Sequence, residues 1–311
     1  MFALSTSWNF QTQPDIKKML RAIKDLGFNA IEIGHHFSEQ RVEDIIRLVD
    51  ILKIKVVSIH NFCPLPPQPQ VKRGSSDYYR LSSLDEKERR KAVKYTKRTI
   101  DTAQRLSVKA IVIHGGTVEL QKNYGHIILQ SLITDKINFK EYLRLKQRLL
   151  EKREREKERH LEAVTESFKE ILPYAQKAKV NIGLETRYYP EEIPSLYEIR
   201  HFLKLFNNER LFYWHDVGHA EVNERLGIMP HLAFLEEFSN HMLGIHLHDI
   251  RGLEDHNAPF TGDFNFYKIS HYLKDDLIKV IEVNSQSTSW QLKIALKKLQ
   301  QMCKIASGYD F

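Results

Sequence analysis

Short β-rich runs alternate with amphipathic helical patterns along the whole chain, and this alternation restricts the fold more than any other feature. The predicted strands span residues 2–6, 30–34, 55–60, 109–114, 180–185, 211–216, 243–248 and 279–283. The predicted helices lie within 14–26, 39–52, 84–106, 138–178, 195–207, 230–240, 266–274 and 289–304. Strands joined by helical crossovers form a parallel sheet. Eight such units in 311 residues predict a (β/α)8 TIM barrel, with residues 1–311 as a single domain.

A doubly wound open sheet is the alternative arrangement of the same elements. Sheets of that kind carry a Gly-rich phosphate loop after the first strand, whereas here Ser5, Thr6 and Ser7 lead into Trp8. Two long loops, at 64–69 (Pro-rich) and 115–138, are expected to lie over the ends of the barrel strands.

Imidazoles and carboxylates recur where the predicted strands end. They are His60, His114, Glu185, Asp216, His246 and Glu282, with His219 and His256 a few residues beyond two of the strands. In a barrel the carboxyl ends of all strands converge on one mouth. Nitrogen donors combined with anionic oxygens suit a divalent transition metal. The pattern therefore predicts a metal site at the barrel mouth.

An ordinary structural interpretation fits some of these residues better than others. A buried, unpaired carboxylate is costly, so Glu185 and Glu282 require a metal or another cation. His60 and His114 could instead be neutral, hydrogen-bonded histidines, and His219 could begin a helix. Several further residues could contact substrate or only stabilise the rim: Arg187, Arg251, Trp8, Phe62, Tyr188 and Tyr189. We interpret His35, His36, His215 and His248 as structural residues or as supports for the ligands.

The overall composition is that of an ordinary globular chain, and the two cysteines lie far apart in no metal-binding spacing, which favours a reducing, cytoplasmic environment. No apolar run reaches the length that spans a bilayer. The net charge of +7 could mark a surface for a polyanion, with Lys72, Arg73 and Lys122 near the predicted mouth. The simpler interpretation is a set of solvated helices such as 140–157, where opposite charges alternate.

The strand-end motifs together resemble one superfamily. They are GLETR (183–187), WHDVGHA (214–220), GIHLHD (244–249), EDHNAPFTGDFNF (254–266) and IEV (281–283). In this order they are similar to the xylose-isomerase-like TIM barrels, which include sugar isomerases, sugar 3-epimerases and endonuclease IV. The resemblance covers essentially the whole chain and points to the superfamily, not to one reaction.

The resemblance implies a central divalent metal, manganese, cobalt or zinc, held by the ligand set of the sugar epimerases: Glu185, Asp216, His246 and Glu282. It implies that His219 contacts substrate or a further metal. Endonuclease IV has three zinc ions, and His60 and His114 match two of its additional ligands. Its third zinc uses an aspartate-x-histidine pair, matched here by Glu254 and His256, so that one certain site and up to three are expected.

Three functions follow as hypotheses. The first is a metal-dependent isomerase or epimerase of a sugar or sugar phosphate, in which Glu185 and Glu282 transfer the proton through an enediolate while His219 and Arg251 orient oxygens. The second is a multi-zinc phosphodiesterase of the endonuclease IV type, which would act on nucleic acid and is the less favoured. The third is a barrel that binds a metal or sugar without turnover. A homo-oligomer is compatible with each of them.

Overall fold

The structure, a computed structural model, describes residues 1–67, 77–207 and 209–306. Part of the Pro-rich loop at 64–69 and the basic pair Lys72 and Arg73 lie outside the described residues.

Parallel strands and surface helices alternate in the order that the sequence predicts. The strands are β1 (Phe2–Ser5), β2 (Ala30–Ile33), β3 (Lys55–His60), β4 (Ala110–Ile113), β5 (Gly116–Thr117), β6 (Asn181–Glu185), β7 (Glu192–Ile193), β8 (Leu211–Asp216), β9 (Met242–Leu247), β10 (Asp249–Arg251), β11 (Glu254–Asn257) and β12 (Ile278–Ile281). The helices are α1 (Ile16–Asp25), α2 (Glu39–Ile51), α3 (Glu86–Arg105), α4 (Tyr124–Ile133), α5 (Phe139–Ala178), α6 (Leu196–Leu205), α7 (Val217–Arg225), α8 (His231–Phe238) and α9 (Ser289–Ala306).

Eight of the strands close a parallel barrel in the order β1-β12-β9-β8-β6-β4-β3-β2. The predicted (β/α)8 barrel is therefore confirmed. The register sets Glu185 beside Trp214, and Asp216 beside His246, so that the ligand residues of neighbouring strands end at similar heights. Two short antiparallel pairs, β5 with β7 and β10 with β11, lie outside the barrel.

The interior below the mouth is filled by Trp214, which is fully buried. Gly244 and Gly183 on the flanking strands make room for its ring: a Cβ on Gly244 would lie 2.3 Å from the indole, and one on Gly183 would lie 2.8 Å from it. The indole centroid is 5.1 Å from that of His246. Trp214 therefore forms a solid floor directly beneath the ligand residues.

Besides the four short strands outside the barrel, three helical elements differ from the sequence prediction. Part of the expected loop at 115–138 forms helix α4, whose Asn123 side chain caps it by accepting from the His126 amide. The last predicted helix before β12 is a 3-10 helix, Phe266–Tyr272. Helix α7 follows β8 without a loop, because Asp216 both ends the strand and caps the helix. Among the described helices, none is long and apolar enough to cross a membrane.

Candidate metal centre

The central cluster consists of Glu185, Asp216, His246 and Glu282, all of them at least nine-tenths buried at the ends of the strands or just beyond them. The Nδ1 atom of His246 lies 2.6 Å from Glu185 Oε1 and 2.9 Å from Glu282 Oε2. It lies 3.6 Å from Asp216 Oδ2. The structure thus brings together the four residues that the sequence proposes for the first metal, and their ligand atoms all lie within 4.8 Å of one another.

The charges in this cluster are strongly coupled. Burial would raise the pKa of Glu185 and Asp216, but the surrounding imidazoles hold both pKa values well below the usual range. Burial would lower the pKa of His246, but Glu282, Glu32 and Glu185 raise it well above its usual value. Without a metal, a proton on the imidazole balances part of the buried negative charge. One nitrogen and three carboxylates are a donor set that fits a divalent ion in place of that proton.

Glu32 on β2 supports this cluster and was missed by the sequence analysis. Its Oε2 atom lies 3.2 Å from His246 Nε2 and accepts a hydrogen bond of 2.8 Å from the Ser58 hydroxyl. Glu32 is fully buried. Since His246 uses Nε2 toward Glu32, its Nδ1 is left to face the carboxylates. The sequence does carry a signal for this role, because Glu32 is a charged residue inside the otherwise apolar strand AIEI.

A second cluster joins His60 and His114 to Glu185. His114 Nε2 lies 2.6 Å from Glu185 Oε2, and His60 Nε2 lies 3.5 Å from the same oxygen. Each ring faces an oxygen with its other nitrogen: His60 Nδ1 lies 3.0 Å from the Asn61 carbonyl, and His114 Nδ1 lies 3.0 Å from Asp77 Oδ1. An imidazole anchored at Nδ1 presents Nε2 in the way that metal-binding histidines do. Glu185 therefore belongs to two clusters, one through each carboxylate oxygen.

A third cluster contains His219, His248, Asp255 and His256. Asp255 lies between two of the rings, 3.4 Å from His219 Nε2 and 3.0 Å from His256 Nδ1. His219 Nδ1 lies 2.8 Å from the Thr186 carbonyl and donates to it. Burial would lower the pKa values of His219 and His256, but the nearby carboxylates, Asp216 for the first and Asp255 for both, raise them to about 9 and about 10. The arrangement again leaves Nε2 of His219 facing a carboxylate.

His248, the fourth member of this cluster, also contacts Asp216. Its Nδ1 accepts the backbone N–H of His256 at 2.9 Å, which leaves Nε2 to donate to Asp216 Oδ1, also at 2.9 Å. Asp216 Oδ1 additionally accepts the His219 backbone N–H at 2.8 Å. Because both ring nitrogens of His248 are used, this residue orients Asp216, as a support for a ligand would.

Glu254, which the sequence predicts as a ligand, does not lie in any of the three clusters. Glu254 is exposed and pairs with Arg251 across the β10–β11 hairpin. The following residue, Asp255, points into the cluster instead. Successive side chains of a strand face opposite sides, so a shift of one residue exchanges the inward and outward carboxylates. Arg251 is also exposed, and its Nη2 donates to the Thr261 carbonyl.

The other predicted substrate contacts are occupied by protein partners. Arg187 is buried and forms ion pairs with Glu192, Glu185 and Asp77 at 2.8, 3.3 and 3.4 Å. Trp8 donates from Nε1 to the Ser287 carbonyl at 2.7 Å. Phe62 is 1% exposed and packs in the core against Tyr79. Of these three, none lies among the described residues that line the large cavity over the clusters.

That cavity has a volume of 1080 Å³ and borders the central cluster at Glu282 and the third cluster at His256. Ser7, His35 and His36 also line it. The Ser7 hydroxyl donates to Glu282 Oε1 at 3.3 Å. Glu282 is thus the carboxylate of the central cluster that a molecule in the cavity would meet.

Solved structures with the same fold include several sugar epimerases. A D-tagatose 3-epimerase-like protein is 18% identical, with a TM-score of 0.67 over 99% of this chain and 98% of that protein. D-psicose 3-epimerase from Clostridium cellulolyticum, solved with D-tagatose, is 14% identical, with a TM-score of 0.66 over 97% and 99%. A Thermus thermophilus protein soaked with ZnCl2 is 17% identical, with a TM-score of 0.59 over 98% of both chains. At these identities the likeness establishes the fold.

No curated protein sequence matches the chain significantly. A family model does match it, over residues 20–302, and that model describes the xylose isomerase-like TIM barrel. The matched range includes all residues of the three clusters. The chain therefore belongs to the xylose isomerase-like TIM barrel family.

Proposed function

We propose that the protein is a metal-dependent enzyme that isomerises or epimerises a small polyhydroxylated carbonyl compound. The observation that carries the proposal is the placement of two buried carboxylates, Glu185 and Glu282, against one atom, His246 Nδ1. Glu282 also lines a cavity large enough for a sugar. The shared fold with D-psicose 3-epimerase supports the same class of reaction.

The metal would be held by Glu185, Asp216, His246 and Glu282. A divalent ion such as manganese, cobalt or zinc, when bound, would polarise the carbonyl group and stabilise negative charge on its oxygen. The residues of the chain have separate tasks. Glu32 and His248 orient His246 and Asp216, and the Trp214 floor excludes water from below.

Glu282 is the residue best placed to take a proton from the substrate carbon. It borders the cavity, and although burial would raise its pKa, His246 lowers it, so that the carboxylate is ionised and can accept a proton. Glu185 is the second carboxylate, held by His246, His114 and Arg187. In this proposal it would return the proton. His219, with Nδ1 donating to Thr186, would present Nε2 to a substrate oxygen or a second ion.

Phosphoester hydrolysis is the second candidate, and one observation favours it. The three clusters adjoin: Glu185 is common to two of them, and His256 Nε2 of the third lies 4.0 Å from Glu282 Oε2. A centre with several metals can stabilise both the attacking and the leaving oxygen of a phosphoester. The described residues at the barrel mouth give the hydrolase less support, because the Arg187 guanidinium is already paired with three carboxylates.

One experiment separates the two candidates. The metal-replete protein is analysed for bound metal and then incubated in deuterated water with a panel of aldoses and ketoses, free and phosphorylated. In parallel it is given a duplex containing an abasic site. We expect deuterium to enter the carbon next to the carbonyl, or the epimerised carbon, of at least one sugar. Cleavage of the duplex by catalytic amounts of protein, with no exchange into any sugar, would favour the hydrolase instead.

A further inference from the structure

Three buried nitrogen atoms without a hydrogen-bond partner come from one short segment between β2 and the first turn of α2. They are His35 Nδ1, His36 Nδ1 and Arg41 Nε. All three residues line the cavity that also borders Glu282 and His256. Buried polar atoms in folded proteins are nearly always satisfied, so these three atoms mark neighbouring side chains that the protein itself leaves incompletely partnered. None of the three belongs to the metal clusters found among the described residues.

The rings of His35 and His36 contact each other, and the His35 ring contacts His60 of the second cluster. The His36 ring stacks on Phe10, with centroids 3.7 Å apart and planes at 5°. The His35 ring lies 4.0 Å from His36 and 5.0 Å from His60. Burial lowers the pKa of His36 to about 4, and Glu282 opposes this only in part. A neutral imidazole offers one donor and one acceptor, which is the complement of a hydroxyl group.

Arg41 lies on the same cavity, at the start of α2. Its guanidinium is 5.0 Å from the Phe37 ring and makes a long hydrogen bond of 3.4 Å to the Pro14 carbonyl. In the described parts of the chain, no carboxylate lies within ion-pair distance of it. Arg98, which also lines the cavity, is paired with Glu39 at 3.0 Å. The charge of Arg41 is thus available to an anionic group of a ligand, and its planar fork suits phosphate or carboxylate.

We propose that His35, His36 and Arg41 form a substrate subsite that receives the end of the molecule remote from the metal, with the imidazoles holding hydroxyl groups and Arg41 holding a terminal anion. This inference rests on the proposed function and narrows its substrate: a polyhydroxylated carbonyl compound that ends in a phosphate or a carboxylate. The reacting carbons would lie at Glu282, and the anion would lie at Arg41, which lines the same cavity.

The test begins with binding and does not need turnover. The metal-loaded protein is titrated with inorganic phosphate, D-gluconate and the uncharged polyol sorbitol, and heats of binding are measured. We expect Arg41→Gln to weaken the binding of at least one of the two anions roughly ten- to one-hundred-fold, with metal content and melting temperature unchanged. Arg47→Gln is the matched control, because Arg47 lies on the same helix, is exposed and is paired with Asp44. Arg41→Lys keeps the charge but loses the planar guanidinium. Its affinity for the anion should therefore fall between that of the wild type and that of Arg41→Gln.

The binding titrations decide whether the subsite exists and which anion it holds. Loss of phosphate binding alone in Arg41→Gln identifies a phosphate terminus, and loss of gluconate binding alone identifies a sugar acid. Equal binding of both anions by the wild type and Arg41→Gln overturns the proposal, and so does sorbitol binding as tight as that of either anion. His36→Phe, which keeps the stack on Phe10 but removes the ring nitrogens, should raise the KM of any sugar substrate more than it lowers kcat. If the anion effect is found but no sugar in the panel undergoes exchange, the subsite stands and the proposed reaction fails.

Discussion

Glu32 lies directly behind His246, with its Oε2 atom 3.2 Å from Nε2 of the ring. The contact fixes which nitrogen of the ring faces the central carboxylates. Partners of this kind are usually as important for metal affinity as they are for ligand orientation. We therefore expect Glu32→Gln to lower the affinity for the first metal about ten- to one-hundred-fold, as measured by competition with a chelating dye. Glu236→Gln, on an exposed glutamate of α8, is the control and should leave the affinity unchanged.

The number of bound metals should depend on which cluster is altered. His246→Ala removes the imidazole of the central cluster and should lose that ion. His114→Ala removes a ligand of the second cluster only, so that elemental analysis should show fewer ions per chain while the first remains. A wild-type content of one ion under metal-replete conditions would leave His60 and His114 without a role as ligands. Full retention of metal by His246→Ala would contradict the assignment of the central cluster.

The choice between Glu254 and Asp255 as the ligand in the β10–β11 hairpin can be tested directly. Asp255→Asn removes the carboxylate that lies between His219 and His256, and the ion of the third cluster should be lost or bound far more weakly. Glu254→Gln changes the adjacent, exposed carboxylate and should have no effect on metal content. The reverse result would show that the sequence-based assignment of Glu254 was right.

Metal binding should compete with protons at the third cluster. The pKa values of His219 and His256, raised to about 9 and about 10, mean that both rings are protonated at neutral pH when no metal is bound. A ligand must be deprotonated, so binding should release protons and strengthen as the pH rises. Calorimetric titration in two buffers of different ionisation enthalpy measures the release. An enthalpy that is independent of the buffer would refute this expectation.

The same protons affect the stability of the metal-free protein. An ordinary histidine has a pKa of about 6.5 in the unfolded chain, and a raised value in the folded state means that the proton stabilises the fold. The contribution of His219 and His256 is fully present below about pH 6.5 and is lost as the pH rises through their folded values, about 9 and about 10. With EDTA present, the melting temperature should therefore fall across this interval. In His219→Gln the fall should be smaller.

Proton transfer should depend on Glu282 more than metal binding does. Glu282→Gln keeps the shape and one oxygen of the side chain but cannot accept a proton. We expect deuterium exchange into a substrate to decrease about a hundred-fold or more. Metal content and substrate affinity should change much less. Exchange at the wild-type rate in this variant would exclude Glu282 as the base.

The barrel could be predicted from the sequence because its signals are local. Each strand is a short run of β-branched and apolar residues, and the predicted bounds of β3 (Lys55–His60) and β8 (Leu211–Asp216) agree with the structure at both ends. The convergence of strand ends is a property of the fold class, so the meeting of His60, Glu185 and His246 followed once the barrel was assumed.

The supporting residues could not be predicted in the same way, since their partners are distant in sequence. Glu32 meets His246 across 214 positions. The choice between Glu254 and Asp255 depends on the register of a hairpin that has an irregularity between Asp249 and Arg251. His35 and His36 follow a strand as the ligands do, yet they line the cavity beside the clusters. The periodicity of the sequence specifies which face of its own strand or helix a side chain lies on. It does not specify how neighbouring strands and helices are rotated relative to one another.

Asp216 is at once the last residue of β8, the cap of α7 and a member of the central cluster. Since no loop separates the strand from the helix, the junction cannot change in length. One inserted residue would turn His219 about 100° around the helix axis and away from the Thr186 carbonyl. Insertions and deletions in relatives of this chain should accordingly be absent at the β8–α7 junction.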